Sequence, residues 1–192
     1  MGKDSNLEHL NDFCQSVYIN KDIIRKADDC LMVTIDSSTK KTGISFFLNG
    51  VLWKIALIDL DKEKDIEIRF KYMSYLLLQV LIKFKPYILY IEETVVNRNV
   101  STQRFLSRLQ GVAYAWCVLN DCEYNTIRPT EWRGELHFLQ GKNHKREELK
   151  QQAVSYIEEK LGILVNDDAA ESACIGFAVL RNWEKISQNV IE

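Results

Sequence analysis

The sequence has few of the residues that mark disordered chains, disulfide-rich domains or zinc sites. Only two of its 192 residues are proline and eight are glycine, whereas 46% are hydrophobic. This composition excludes a disordered chain and predicts a globular domain with a full core. The five cysteines form no C-x-x-C pair, and the three histidines are scattered. We therefore expect free thiols in a reducing compartment and no zinc centre.

Long apolar runs are also missing. The most apolar stretch, residues 75–84, is too short and too closely flanked by charge to span a membrane. Residues 1–18 lack the uninterrupted apolar core of a signal peptide. We therefore expect a cytoplasmic protein that does not associate with membranes. The net charge of −2 identifies no partner, because nucleic-acid binding depends on where basic residues cluster.

Hydrophobic periodicity predicts an N-terminal helical extension followed by one α/β domain. The extension covers residues 1–29, where apolar residues recur at helical spacing: Leu7, Leu10, Phe13 and Val17. The domain covers residues 30–192 and begins with three short strands joined as an antiparallel meander. A helix, a strand, a helix, a strand and two helices follow. The apolar stretch 87–93 predicts a strand that is buried on both faces, near the centre of the sheet.

Two acidic residues follow apolar strands directly, Asp36 after LMVTI and Glu92 after YILYI. A carboxylate in such a place loses hydration worth several kcal/mol, so it is usually protonated, paired with a cation or bound to a metal. A third acidic group, Asp168 and Glu171, opens the last helix. One interpretation is a capping box, in which Asp168 caps the first turn and Glu171 reaches back to it. The other is a functional site shared with Asp36 and Glu92.

The spacing favours convergence of the four carboxylates. Asp168 and Glu171 are three residues apart on a helix and share one face, whereas Asp167 points about 100° away. If the two acidic strands are neighbours and the last helix begins across their ends, Asp36 and Glu92 meet that face. Four carboxylates without histidine or cysteine form a hard-oxygen site suited to Mg²⁺ or Mn²⁺. Two such ions are a known means of hydrolysing phosphodiesters.

The acidic segments together resemble a known family, the RuvC-type Holliday junction resolvases of the RNase H-like nuclease superfamily. The resemblance rests on VTIDSSTKKTGISF, LYIEETVV, FLSRLQGVAYAWC and NDDAAESACIGFAVL, in the family's order, and covers about residues 30–182. The stretches IRPTEWRGELHF and HKREELKQQAVSYI are more similar to the divergent branch found in phages and prophages. The resemblance implies a mixed five-stranded sheet, three antiparallel strands followed by parallel ones, with helices on both faces.

Position by position, the resemblance assigns Asp36, Glu92 and Asp168 as catalytic, metal-binding acids. Glu171 stands where the family usually has aspartate. Val95 stands where dimeric bacterial members carry an aromatic wedge, which removes the expected base-stacking contact. The resemblance further implies two Mg²⁺ or Mn²⁺ ions, a homodimer, and symmetrical nicking of four-way DNA junctions in recombination, repair or phage DNA processing. It places the chain in the cytoplasm of a bacterium or of a phage-infected host.

Basic residues are concentrated after the second acidic strand, with nine Lys or Arg against six Asp or Glu between Arg98 and Lys150. Such a stripe beside a metal site predicts phosphate contacts. The candidates for DNA binding are Lys145, Lys142, Arg146, Arg98, Arg104, Lys40 and Lys41, and Lys145 matches the family's basic residue at this helix start. For Arg146 and Lys150, ion pairing along a solvated helix face explains the charges equally well. Trp132 is interpreted as a packing residue.

The leading hypothesis is a crossover junction endodeoxyribonuclease that leaves 5′-phosphate ends by a two-metal mechanism. The alternative is a catalytically weak protein that binds branched DNA. An actin-like phosphotransferase shares the opening turn after Asp36, but it requires a second phosphate loop in a second domain, which this sequence lacks.

Overall fold

The computed structural model describes residues 13–94, 99–141 and 144–189 of the chain. Strands and helices alternate after an antiparallel start, as the sequence predicts. The elements are β1 (Cys14–Ile19), β2 (Leu31–Ser37), β3 (Lys41–Leu48), β4 (Val51–Asp59), α1 (Ile66–Phe84), β5 (Ile88–Glu92), α2 (Val100–Leu119), β6 (Glu123–Ile127), α3 (Pro129–Glu135), α4 (Arg146–Leu161) and α5 (Asp167–Asn189).

The strands form one mixed sheet in the order β1-β4-β3-β2-β5-β6. The predicted meander is present, since β2 pairs antiparallel with β3 and β3 pairs antiparallel with β4. Strand β5 pairs in parallel with both β2 and β6. The register joins Met32 to Ile88 and Ile35 to Ile91. The acidic residues that follow, Asp36 and Glu92, therefore lie side by side where β2 and β5 end, and we call this end of the strands the acidic edge of the sheet.

Within the described residues the sheet has six strands, whereas the sequence predicts five, because part of the expected N-terminal helix is a strand. Residues Cys14–Ile19 form β1, which pairs antiparallel with β4 and has an irregular register between Ser16 and Tyr18. Without β1, the backbone groups of β4 would lie on an open sheet edge. The hydrogen bonds that β1 forms with β4 stabilise the strand more than the helical spacing of its apolar residues would stabilise a helix. The prediction of a helix is therefore wrong for this segment. Leu7 and Leu10 lie outside the described residues.

Each face of the sheet carries its own hydrophobic core. Helices α1 and α2 cover one face, where Leu31, Val33 and Ile35 point toward them. Helices α3, α4 and α5 cover the other face, against Met32 and Phe47. This alternation along β2 is the period of two that a sheet covered on both sides requires. Among the residues that the structure describes, no helix is long and apolar enough to cross a membrane.

Two glycines let α5 approach the sheet more closely than any other residue would. A Cβ at Gly43 would lie 2.0 Å from the Asp168 carbonyl oxygen, and a Cβ at Gly176 would lie 2.0 Å from Cε2 of Phe47. Both distances are far inside van der Waals contact. A side chain at Gly43 would displace the backbone of α5, and one at Gly176 would displace the Phe47 ring or the helix. The start of α5 is thereby held directly on β3.

Buried hydroxyl groups fix the position of α5 along the sheet. Thr34 Oγ1 of β2 donates to the Ser172 carbonyl oxygen at 2.7 Å, and the hydroxyls of Ser45 and Ser172 are also 2.7 Å apart. Ser172 lies between Asp168 and Glu171 on one side and the apolar part of α5 on the other. These specific contacts set which turn of the helix meets the acidic edge of the sheet.

Candidate active site

Three buried carboxylates form a compact cluster at the edge of the sheet. Oxygen atoms of Asp36, Asp168 and Glu171 all lie within 4.8 Å of one another, and the three residues are 5%, 6% and 4% exposed. Glu92 lines the same cleft, beside Asp36. The structure therefore brings all four predicted acids together, with Glu92 at the border of the cluster.

The local structure at the start of α5 decides between the two interpretations of its acids. Asn166 provides the cap, since its Oδ1 accepts from the Asp168 N–H at 3.0 Å. Glu171 does not reach back to the cap, because its Oε1 accepts from Arg133 at 2.7 Å. A capping box from Asp168 and Glu171 is thus not formed. Both carboxylates point into the cleft instead.

Burial dominates the electrostatics of the four acids. It raises the pKa of Asp36 well above the usual value, and the nearby Glu92, Glu171 and Asp168 raise it further. Burial likewise raises the pKa of Glu92 to about 7, although a hydrogen bond from Trp132 opposes this rise. The pKa values of Asp168 and Glu171 are also raised, first by burial. Such a group of carboxylates binds protons or cations in the folded state.

Lys150 supplies one internal counter-charge. Its Nζ lies 2.6 Å from Asp167 Oδ2, 3.3 Å from Asp168 Oδ1 and 3.9 Å from Glu171 Oε2. Burial lowers the pKa of Lys150, but the hydrogen bond to Asp167 and the charges of the other acids outweigh this, and the net pKa is raised. Its interpretation as part of a solvated helix face is therefore wrong. The sequence did not reveal this role because pairing with Glu147, three residues earlier on the helix, accounts for the charge of Lys150 equally well.

Arg133 supplies the second counter-charge. Its Nη2 atom lies 2.7 Å from Glu171 Oε1. Its Nε is buried and has no hydrogen-bond partner within the described residues. Counting Asp167, five carboxylates face two cations, which leaves three unbalanced negative charges when all are ionised. An oxygen-only donor set with this excess of charge fits divalent ions such as Mg²⁺ or Mn²⁺.

Helix α3, which hydrophobic periodicity does not predict, completes the cleft. It is only seven residues long, too short for a clear hydrophobic period. Its signals are Pro129 at the first position and Glu131, whose side chain accepts from the Arg128 N–H at 2.9 Å. The helix places Trp132 and Arg133 against Glu92 and Glu171. Trp132 is fully buried, as its interpretation as a packing residue requires, and its Nε1 also donates to Glu92 Oε2 at 2.7 Å.

The neighbouring acids Glu93 and Asp167 have partners of their own. Glu93 pairs with Arg128 at 2.9 Å, and its side chain is 42% exposed. Asp167 lies at the border of the site through its contact with Lys150. Of the two adjacent glutamates, Glu92 is thus the one whose charge acts on Asp36 and whose carboxylate accepts from Trp132.

The predicted DNA-binding residues that the structure describes lie around the cleft to different extents. Arg146 lines it and is exposed, and Lys145 is the exposed N-cap of α4. Arg104 is exposed on α2. Lys40 pairs with Asp61 at 2.6 Å and Lys41 with Asp59 at 3.0 Å, so both already have partners. Three further predicted positions lie outside the described residues: Arg98, Lys142 and Val95.

Comparison with known proteins gives structural neighbours only. No protein-family model matches the sequence, and no curated protein matches it significantly. RuvC of Thermus thermophilus, in complex with a Holliday junction substrate, is 13% identical, with a TM-score of 0.61 over 81% of this chain and 96% of that chain. The chain has a RuvC-type fold. A second structure of the same RuvC gives a TM-score of 0.59 at 14% identity, over the same shares of the two chains.

The yeast mitochondrial Holliday junction resolvase Ydc2 is a further neighbour, with a TM-score of 0.50 at 15% identity over 99% of this chain and 90% of that chain. Its match extends beyond the 81% of this chain that RuvC covers. The predicted RNase H-like architecture is therefore confirmed, with the sixth strand as the addition.

Proposed function

We propose that this chain is a metal-dependent, structure-selective DNA endonuclease that resolves four-way junctions by paired nicking. The observation that carries the proposal is the convergence of Asp36, Glu92, Asp168 and Glu171 at one edge of a RuvC-type sheet. The structural neighbours support the substrate class, because one was solved with a Holliday junction and another is named as a Holliday junction resolvase.

The four acids would hold two Mg²⁺ or Mn²⁺ ions, because burial raises their pKa values and bound cations would stabilise their ionised forms. When bound, such ions activate the attacking water and stabilise the leaving oxygen of a phosphodiester. Lys150 and Arg133 place positive charge at the same cleft, where a phosphate group needs it. The expected products carry 5′-phosphate ends.

Exposed basic residues around the cleft provide the path for the DNA backbone. Arg146 and Lys145 lie at the start of α4, and Arg104 lies on α2, whose Thr102 and Leu106 line the same cleft. Each phosphate that they neutralise adds affinity that decreases as the salt concentration rises. Paired nicking of a four-way junction requires two such sites, which a homodimer supplies. The activity belongs to DNA recombination and repair or to phage DNA processing, in the cytoplasm.

Nicking of synthetic DNA tests the proposal. The wild-type chain should cut four-way junctions in the presence of Mg²⁺ and leave linear duplex of the same sequence uncut. Asp36→Asn should abolish nicking and keep junction binding in a gel-shift assay. Asp59→Asn, at an exposed carboxylate paired with Lys41, is the matched control and should cut normally. An Asp36→Asn variant that nicks at the wild-type rate would contradict the assignment.

The second candidate is a catalytically weak protein that binds branched DNA. The presence of all four acids in one cleft, three of them buried, favours an active nuclease over this alternative. Tight junction binding without Mg²⁺- or Mn²⁺-dependent nicking by the wild-type chain would favour the binding protein instead.

A further inference from the structure

Glu92 is held differently from the other three acids. It accepts two hydrogen bonds from helices that carry none of the four acids, one on its backbone and one on its side chain. Gln110 of α2 donates its Nε2 to the Glu92 carbonyl oxygen at 2.8 Å, which fixes the end of β5. Trp132 of α3 donates its indole Nε1 to Glu92 Oε2 at 2.7 Å, which fixes the side chain. Within the described residues, the other carboxylate oxygen of Glu92 accepts no hydrogen bond.

Trp132 is itself rigidly placed. It is fully buried in the core between α3, α4 and α5, and its ring packs edge-on against Phe138 at a centroid distance of 6.0 Å. The guanidinium of Arg133 lies over the same ring, 4.7 Å from its centroid. An indole carries no charge and has one donor and no acceptor, so it directs a carboxylate without competing for a cation.

We propose that Trp132 is a positioning residue that sets the orientation of Glu92 for binding of a divalent ion. The indole N–H occupies Oε2, and Oε1 is then the oxygen available to an ion in the cleft that Glu92 lines. Arg133, the next residue, donates a hydrogen bond from its charged guanidinium to Oε1 of Glu171 at 2.7 Å. The short helix α3 thus orients two of the four acids through consecutive side chains. Partners of this kind, one bond removed from the ion, commonly change metal affinity by about 10- to 100-fold.

This inference rests on the proposed metal site, and Trp132→Phe tests it because phenylalanine keeps the aromatic packing and removes the N–H. We expect Mn²⁺ binding, measured by calorimetry without DNA, to weaken by about 10- to 100-fold. The Mg²⁺ concentration for half-maximal nicking should rise by a similar factor, with the rate at saturating Mg²⁺ kept within a few-fold. A purely structural role would lower the folded fraction and leave this concentration unchanged.

Trp116→Phe is the matched control. Trp116 is a buried tryptophan of α2 on the opposite face of the sheet, so its loss reduces packing without reaching Glu92. It should leave Mn²⁺ affinity at the wild-type value. If Trp132→Phe does not fold, replacing Trp132 by benzothienylalanine exchanges only the N–H for sulfur and gives the same comparison.

The outcomes separate the two proposals. Weaker Mn²⁺ binding in the Trp132 variants, with wild-type affinity in Trp116→Phe, supports the positioning role. Equal affinity of the wild-type and Trp132 variants overturns that role and leaves the metal site intact. A wild-type chain that binds no Mn²⁺ overturns both the metal site and the positioning role.

Discussion

Replacing Glu92 by glutamine should make the metal-free protein more stable, and increasingly so as the pH rises. The folded state raises the pKa of Glu92 from 4.5 to about 7, mainly through burial. Protonated Glu92 therefore contributes stability that is fully present below pH 4.5 and is lost as the pH rises through about 7. Glutamine resembles the protonated acid at every pH, and its amide oxygen can still accept from Trp132.

The magnitude follows from the pKa difference. A rise from 4.5 to about 7 corresponds to about 3 kcal/mol of unfolding free energy once Glu92 is fully ionised. Urea unfolding in EDTA should therefore show Glu92→Gln more stable than wild type by about 3 kcal/mol at pH 8.5 and by about 1 kcal/mol at pH 5.5. Adding Mg²⁺ at pH 8.5 should reduce this advantage, because the ion stabilises the wild type through a ligand that the variant lacks.

The control for this experiment is Glu93→Gln, one position along the chain. Its carboxylate is 42% exposed and paired with Arg128, so the change should alter the unfolding free energy by less than about 1 kcal/mol at both pH values. A Glu92→Gln variant whose advantage is absent, or equal at pH 5.5 and 8.5, would refute the argument from burial.

Two further substitutions test how α5 and the site are held. Gly43→Ala should lower the unfolding free energy by about 3 kcal/mol, because the new methyl group meets the Asp168 backbone. Gly111→Ala is the control and should raise the unfolding free energy by about 0.5–1 kcal/mol, because no atom lies within 4 Å of the added carbon and alanine favours a helix. Urea titration of both variants checks this pair, and equal effects would contradict the close approach. Lys150→Met should destabilise the metal-free chain by about 2–4 kcal/mol at pH 8, since three acids lose their shared cation. Calorimetric melting with and without Mg²⁺ should show that the ions restore part of this loss, and a variant as stable as wild type in EDTA would count against the role of Lys150.

The four acids could be predicted from the sequence because strand ends and helix faces are local patterns. Asp36 and Glu92 each follow an apolar strand, and parallel neighbouring strands bring such positions to one edge. The groups that complete the site were not predictable in this way. Trp132 reaches Glu92 through a seven-residue helix without a clear period, and Lys150 belongs to a helix whose surface charges pair equally well with each other.

The N-terminal strand shows the same limit. Its helical spacing is a local pattern, whereas its pairing with β4 depends on an open sheet edge formed by residues some forty positions later. The three-strand meander that follows was predictable because its partners are adjacent in the sequence and joined by short turns.

The hydrogen bond between Thr34 and Ser172 joins residues that are 138 positions apart. The acidic cluster therefore exists only after the last helix of the chain has docked on the second strand. During synthesis, a chain that lacks α5 has Asp36 and Glu92 but neither Asp168 nor Glu171. Long-range contacts of this kind form late, because the loop they close is costly in entropy. Incomplete or misfolded copies should thus lack the complete acidic cluster and, with it, the proposed nuclease activity.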